Sequence, residues 1–533
     1  MFDKTYSRIS LLLLLAFIMS FYLIPRRQIW IDEVGSWIES GMPLKEMIAF
    51  NSYPKDTHPP LYYILLHFYR KIIPEQKPFD INNNYKELTN KIPSYPFEIH
   101  LRLFSSFFAL LSIISTYYLA LKIYNDSKTA FLSSLLMIFS SAFLYYSREI
   151  RMYSLLLLIS STSSLFFLLY LDKKKIKYAL IYSLVSASGL YTHYFMIPLL
   201  AIQWLYFLLV NIKKINFKTL KEIYPLFMTF IFFIPYIMTF MKHARVLKEQ
   251  AIFKGISPFM DFVSLFRWYF FGYYLKPLPV TIIGYLLIAL ILGISVYYFR
   301  TRLRENLFLN LFIWLPPLFA LLASLLLNPV NQKRFFIIFL PYIFIFISYG
   351  LLRIKRIFML VIILLFISIS IYSDYNYRMD KIYGPSKKIA TYLKANYRKG
   401  EDVIISQGVA GKYIFGDVGF YLSGFAEFIC IHREDLMLIN QKYFLNELSK
   451  KPDMKLVFIS PHIGQWNEEL LKTAIREHII NKKRIWLCDT IKLGDEDLSS
   501  LFSFYETEFG FKFIREKSIK DHSFQIYLLE KQI

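Results

Sequence analysis

Long apolar runs dominate the chain, near residues 9–25, 101–121, 129–146, 152–171, 178–192, 194–210, 223–241, 278–299, 306–327, 335–352 and 357–373. A bilayer core of about 30 Å needs roughly 20 helical residues at about 1.5 Å each. Most of the runs meet that length. Backbone amides cannot stay unpaired in hydrocarbon, so spans of this kind must be helices. The sequence therefore predicts a polytopic α-helical membrane protein with about eleven transmembrane helices. No small-residue cleavage site follows the first run. Arg26, Arg27 and Trp30 follow instead, so it reads as a retained helix. The runs 178–192 and 194–210 are short, with only a slight break between them.

Composition agrees. The chain is 56% hydrophobic with a mean hydropathy of +0.39, and a soluble domain is rarely more than half apolar. A net charge of +23 would point a soluble protein towards nucleic acid. Here the cations sit in short loops between apolar runs, which excludes nucleic acid as a partner and leaves membrane lipids.

The loops set an orientation. With Lys4 and Arg8 in the cytoplasm, every second loop is cytoplasmic. Those loops carry Lys122 and Lys128, then Lys173, Lys174, Lys175 and Lys177, then Lys213, Lys214, Lys218 and Lys221. Arg300, Arg302 and Arg304 follow, then Arg353, Lys355 and Arg356. This is a positive-inside pattern in the cell (inner) membrane. It leaves residues 26–100, 242–277 and the tail from about 374 outside.

The tail changes character. Val403–Ser406, Leu456–Ser460, Ile485–Cys488 and Phe524–Leu529 read as strands. Ser386–Asn396, Glu434–Leu448 and Trp466–Ile479 read as helices between them. The expected division is a transmembrane domain at 1–373, with 26–100 as its first extracytoplasmic loop, and a small C-terminal α/β extracytoplasmic domain at 374–533. Both cysteines, Cys430 and Cys488, fall in the tail. A disulfide and two unpaired buried thiols are equally compatible with that.

Ionisable residues are nearly absent from the middle of the runs, where an ion-coupled transporter keeps them. They gather at the outer helix ends. Asp32 and Glu33 lie about seven residues beyond the first run, and His58 sits in Thr57-His58-Pro59-Pro60-Leu61-Tyr62-Tyr63. Arg102 opens the second run, and Arg148, Glu149 and Arg151 fill the third outer turn. His193 and Tyr194 mark the next outer turn, and Lys333 and Arg334 lead into the tenth run. Paired acids and several arginines on one boundary look like a site for an anionic lipid headgroup. Each element also has an ordinary reading. An acidic pair outside a helix is usually solvated surface. Thr57 before two prolines is an ordinary helix start, with Leu61–Phe68 as an interfacial helix. Arginines at helix ends commonly snorkel to phospholipid. The functional reading rests on their joint occurrence.

Trp30-Ile31-Asp32-Glu33, the Thr57–Tyr63 segment, Leu101-Arg102-Leu103-Phe104-Ser105-Ser106 and Glu149-Ile150-Arg151-Met152-Tyr153-Ser154-Leu155 together resemble the GT-C membrane glycosyltransferases. The likeness is to the protein O-mannosyltransferase-like group, glycosyltransferase family 39, and to the lipid A aminoarabinose and core galacturonosyltransferases. It covers about the first 200 residues. A weaker match runs from Lys333-Arg334-Phe335 through Leu340-Pro341. The resemblance implies a GT-C fold. It also implies inverting transfer of a sugar from a polyprenyl-phosphate donor to an acceptor hydroxyl of a lipid, glycan or protein outside the cytoplasm.

By the same resemblance Asp32 maps to the leading catalytic acid, with Glu33 beside it. Arg102 maps to the helix-opening arginine. Glu149 falls where relatives keep a second acid or amide next to an arginine, here Arg151. Arg102, Arg151 and Arg334 suit a donor phosphate, because a guanidinium matches phosphate oxygens in a fork. His58, Glu149, His193 and Tyr194 are candidates for the acceptor side or the loop. Some GT-C enzymes use a divalent metal; beyond Asp32, Glu33 and His58 the sequence offers no cluster that argues for one. Tyr62-Tyr63 departs from the mannosyltransferase pattern, so mannose and a protein acceptor do not follow. Two other classes fit the layout, a transporter or flippase of lipid-linked sugars and an inactive GT-C scaffold. A scaffold has no need of Asp32; an enzyme does.

Overall fold

The computed structural model describes residues 2–21, 29, 31–52, 58–73, 96–214, 216, 221–249, 258–272, 275–326 and 333–382, and in the tail 390, 392–393, 395–398, 401–406, 426–431, 454–459, 476, 479–489, 502–503, 505–521 and 524–532. It divides into two compact units. The first comprises Met1–Ile24, Leu44–Lys71 and Ile99–Met379; the second comprises Pro25–Pro43, Ile72–Glu98 and Asp380–Ile533.

The first unit is helical. It opens with α1 (Phe2–Phe21). Past α2 (Ile31–Gly41), which belongs to the second unit, come α3 (Leu44–Asn51) and α4 (Leu61–Arg70). Next are α5 (Pro96–Tyr124), α6 (Ser127–Phe139), α7 (Ser141–Tyr146), α8 (Tyr153–Lys173), α9 (Ile176–Leu190) and α10 (Met196–Asn211). The rest are α11 (Tyr224–Phe233), α12 (Ile237–Glu249), α13 (Pro258–Phe271), α14 (Leu278–Tyr297), α15 (Leu303–Leu326), α16 (Leu340–Leu351) and α17 (Arg356–Ile382).

Among the described residues six helical stretches are long and apolar enough to cross a membrane: Glu98–Tyr124, Tyr153–Lys173, Tyr224–Arg245, Leu278–Tyr297, Lys333–Leu351 and Arg356–Asn376. Thr5–Phe21, Ser127–Phe139, Ile176–Leu190 and Met196–Asn211 are shorter apolar helices. Exposed Phe17, Phe227, Leu286 and Leu364 show apolar side chains turned outward, the pattern of a lipid-facing surface. The chain is a polytopic helical membrane protein. Among the described residues each apolar run in the sequence falls on a helical stretch, and the slight break near 193 is a real turn between α9 and α10.

Several breaks were not visible in the runs. The stretch 129–146 is interrupted at Ser140, whose backbone is extended. Ser140 Oγ donates to Tyr269 O at 2.7 Å and caps α7, so the break leaves that hydroxyl satisfied. The stretch 223–241 is broken by a short 3₁₀ segment, Ile234–Tyr236, that carries Pro235. The run into α16 begins as a longer 3₁₀ segment, Lys333–Phe339. α4 begins at Leu61 with Pro60 at the cap position, later than the sequence suggested; Thr57 lies outside the described residues. The segment 242–277 read as a loop holds α13, whose Trp268, Tyr269, Phe270 and Phe271 are buried.

A buried polar seam ties the centre of this unit together. Gln203 on α10 donates from Nε2 to Ser164 Oγ at 2.9 Å and Ser163 Oγ at 3.2 Å, both on α8. Its Oε1 accepts from Tyr182 OH on α9 at 2.9 Å. Tyr342 OH on α16 lies 2.6 Å from Ser164 Oγ and donates to Ser160 O at 3.1 Å. Ser160 Oγ donates in turn to Ile338 O, at the end of the 3₁₀ segment, at 2.7 Å. In hydrocarbon each such group needs a protein partner, so the seam fixes the rotation of α8, α9, α10 and α16 about one another.

The second unit carries α2 and the tail. Ile29 N donates to Glu98 Oε1 at 3.1 Å, ahead of α2. Asp32 and Glu33 lie in the first turn of α2, where carboxylates complement the positive end of a helix. Asp32 is half-buried and Glu33 is buried. On a helix the two side chains leave about 100° apart.

The tail forms a six-stranded sheet of order β2-β3-β1-β4-β6-β5. The strands are β1 (Asp402–Ser406), β2 (Ala426–Ile431), β3 (Met454–Ile459), β4 (Arg484–Asp489), β5 (Phe511–Asp521) and β6 (Phe524–Lys531). The first four are parallel, and β6 runs antiparallel to β4 and β5. Buried Asp402 anchors the start of β1. It accepts from Arg484 Nη2 at 2.7 Å, Trp486 Nε1 at 2.9 Å and Arg398 N at 2.9 Å. Of the expected helices, 434–448 lies outside the described residues and the other two are described only in part.

The sheet decides the cysteine question. Cys430 pairs with Phe458, Phe458 with Ser406, and Ser406 with Cys488. The two cysteines lie in one row, separated by β3 and β1. At about 4.8 Å per strand their Cα atoms are roughly 14 Å apart. A disulfide requires less than about 7 Å, so these two cannot pair within one chain.

Candidate active site

The turn 147–152, between α7 and α8, is the hub. Its Arg148, Glu149 and Arg151 are all buried. Three serines build it. Ser106 Oγ on α5 lies 2.8 Å from Ser147 O and 3.1 Å from Arg102 O. Ser154 Oγ donates to Tyr146 O at 2.8 Å, across the turn, and Ser147 Oγ to Leu144 O at 3.0 Å. Arg151 N donates to Glu149 O at 2.7 Å, which tightens the bend.

The charged groups of this turn do different things. Arg148 Nε donates to Ser20 O at 2.7 Å, its Nη2 donates to Met19 O, and its Nη1 lies 3.6 Å from Asp374 Oδ1 on α17. It thus caps the last carbonyls of α1 and pairs with a buried carboxylate. Glu149 Oε1 accepts from Tyr145 OH at 3.4 Å. Arg151 Nη2 lies 2.9 Å from His58 Nε2, and Nη1 donates to Tyr63 OH at 3.3 Å. An arginine can only donate, so His58 accepts on Nε2 and its ring is neutral in this geometry.

His58 stands just ahead of α4, and α4 is pinned beside the next loop. Leu61 N donates to Tyr191 O at 3.0 Å. Tyr62 OH bonds Ser105 Oγ on α5 at 2.9 Å. The loop after α9 then presents His193. Its Nδ1 accepts from Phe195 N at 3.0 Å, and its ring lies 4.8 Å from the Phe335 ring. Burial drives the His193 pKa well below its ordinary value, and the nearby guanidiniums of Arg151 and Arg334 add to the shift. Four segments thus converge: the entry to α4, the turn 147–152, the loop 191–195 and the 3₁₀ segment with Arg334.

His58, Arg151, His193 and Arg334 come together, joining two arginines assigned to the donor phosphate with two histidines assigned to the acceptor or loop. Arg102 is fully buried on α5, one turn from Ser105 and Ser106. Lys333 and Arg334 are half-buried. Tyr194 turns to a residue the sequence did not single out: its OH lies 2.6 Å from Nδ1 of fully buried His243 on α12. The only hint of His243 was a lone histidine in a basic, amphipathic stretch. Asp32 and Glu33 belong to the second unit and have been described with it. Among the described residues no three His, Cys, Asp or Glu side chains converge as metal ligands do.

Residues 91–238 match the family model described as Dolichyl-phosphate-mannose-protein mannosyltransferase. That stretch holds Arg102, Arg148, Glu149, Arg151, His193 and Tyr194. No curated protein sequence matches the chain. The fold is similar to ArnT from Cupriavidus metallidurans in the apo state, with a TM-score of 0.59 at 10% identity, covering 98% of each chain. ArnT from the same organism bound to undecaprenyl phosphate gives a TM-score of 0.57 at 10% identity, covering 98% of this chain and 97% of that one. The chain is similar to the GT-C glycosyltransferases of the ArnT and protein mannosyltransferase type. The likeness in fold spans nearly its whole length, and the likeness in sequence spans 91–238.

Proposed function

We propose that this chain transfers a sugar, with inversion, from a polyprenyl-phosphate-sugar donor to an acceptor hydroxyl on the extracytoplasmic face of the membrane. The observation that carries the reading is the convergence of the Arg151 and Arg334 guanidiniums with the neutral imidazoles of His58 and His193 at the ends of apolar helices. Arg102, Arg151 and Arg334 hold the donor phosphate. Charge-assisted bonds to a phosphate strengthen as it becomes the leaving group. That an ArnT of similar fold is solved with undecaprenyl phosphate supports a lipid-phosphate donor. Asp32 is the general base that takes the acceptor's proton, and Glu33 supports it. Glu149, beside Arg151, orients that guanidinium or the acceptor, with Tyr194 at the edge of the same region. The acceptor is a lipid, glycan or protein hydroxyl, and the sugar is a hexose or pentose.

This reading sets the N-terminus in the cytoplasm and the region 374–533 outside, as an α/β domain at the membrane surface. Its test is sugar transfer from a purified polyprenyl-phosphate donor by wild type and Asp32→Asn at matched amounts. Asparagine keeps the size and removes the base. Turnover should fall by roughly 10²–10⁴ while expression and donor binding hold. Transfer at the wild-type rate would put the base elsewhere, with Glu33 and Glu149 next in line.

A further inference from the structure

The two nitrogens of His193 are not equivalent. Nδ1 is committed to the Phe195 N–H of its own loop at 3.0 Å. In the neutral ring the proton then resides on Nε2. Nε2 lies across the ring, so it faces away from that loop. Among the described residues no group bonds Nε2, and the residue keeps 9% of its surface accessible. The ring is walled by Phe335 at 4.8 Å and by Tyr153 and Phe195 at 6.4 Å each. Arg151, Arg334 and His58 are near enough to act on it electrostatically.

A phosphate site gains from cations, and this one has two arginines. Its histidine is nonetheless held where a second proton is disfavoured, by an apolar cage and by neighbouring positive charge. A neutral N–H can bond an anionic or an uncharged oxygen, but it adds no charge; the two arginines already supply the charge that a phosphate needs, which leaves this donor for an uncharged oxygen. The uncharged oxygens of the donor are the sugar's and the two ester bridges of the phosphate, and the sugar hydroxyls are the better acceptors among them. A buried donor left unpaired is costly, so a site built around one rejects a ligand that lacks the matching hydroxyl.

From this geometry we infer that His193 donates from Nε2–H to a hydroxyl of the transferred sugar and so selects the sugar, while the arginines hold the phosphate. The role rests on the function proposed above, and the test separates the two. The proteins are wild type, His193→Phe, which keeps a ring and loses the donor, and His193→Gln, whose amide NH₂ can stand near Nε2. Each is assayed for binding of bare undecaprenyl phosphate in detergent and for sugar transfer from the purified sugar-loaded lipid. Bare lipid phosphate should bind all three within about two-fold. Transfer should fall by roughly 5–150-fold in His193→Phe, and His193→Gln should recover most of that loss.

Three results overturn the role. Transfer by His193→Phe at the wild-type rate would show that the donor is idle. A loss of bare-phosphate binding in that variant would make His193 part of the anion clamp. Transfer by His193→Gln as poor as that by His193→Phe would reduce the histidine to packing. Wild type that neither binds the lipid phosphate nor transfers sugar would sink the glycosyl-transfer reading itself, and this role with it.

Discussion

Arg148 and Arg151 lie three residues apart in one buried turn, and one is spent on the scaffold while the other faces the basic group. Arg148 holds Met19 O, Ser20 O and Asp374. Arg151 meets His58 and Tyr63. Arg148→Met should therefore take its cation from a buried carboxylate, at a cost of up to about 3–5 kcal/mol. Its melting temperature in detergent should drop clearly below that of wild type. Arg151→Met should melt near wild type and bind undecaprenyl phosphate at least ten-fold more weakly, and Arg151→Lys should recover only part, because lysine lacks the planar fork. Equal melting of wild type and Arg148→Met would show that the clamp holds nothing.

Gln203→Leu tests the polar seam. It removes the acceptor of Tyr182 OH and the donor to Ser163 and Ser164 at once. Bonds between helices in a membrane average about 0.6 kcal/mol each, so the three together should cost about 2 kcal/mol. Thermal unfolding of the purified protein reads this directly. Gln203→Glu would place a charge in hydrocarbon and should be worse. An unchanged melting curve for Gln203→Leu would mean that the seam is packing alone.

His193 gives stability a pH dependence. Its folded pKa is depressed, chiefly by burial and then by His58, Arg151 and Arg334. Above the unfolded value of about 6.5 both states are neutral. As the pH falls through about 6.5 the unfolded chain binds a proton that the folded protein refuses, so stability is lost towards acid. The slope is at most about 1.4 kcal/mol per pH unit for one group. Melting curves from pH 7.5 to 5 should show the loss, and His193→Gln should flatten it. An identical acid slope in the variant would assign the proton to another group.

The cysteines should both be free in an isolated chain. Without reductant, the unfolded monomer should take up two maleimide labels, one at Cys430 and one at Cys488. Zero labels on a monomer would contradict the strand order. Cys430→Ser with Cys488→Ser should leave sugar transfer unchanged.

The helices were legible because twenty apolar residues admit few alternatives. What stayed hidden was where they break. Ser140 sits inside an apolar run, and only its partner Tyr269, far along the chain, reveals why the break is stable. α13 was read as loop because Asp261 and Arg267 interrupt its aromatic residues. In the tail β1, β3, β4 and β6 carry compact apolar runs and were visible. β5 (FKFIREKSIKD) is half charged, and β2 is split by Glu427, so both were missed. At the site, residue types pointed to His58, Arg151, His193 and Arg334 together. They could not separate Arg148 from Arg151, because the difference lies in what each meets across about 130 or 220 residues of chain in one case and about 90 in the other. His243 escaped for the same reason: its significance is its contact with Tyr194.

The clasp at Arg148 also imposes an order of events during synthesis. Its carbonyl partners, Met19 and Ser20, precede it in the chain, and its carboxylate partner, Asp374, follows it on α17. At about 5–20 residues per second the ribosome delivers Asp374 roughly 11–45 s after Arg148. Through that interval Arg148 sits between helices without its counter-ion. The clasp on α1 is therefore complete only when α17 arrives, and a chain cut short before residue 374 would lack the carboxylate that neutralises it.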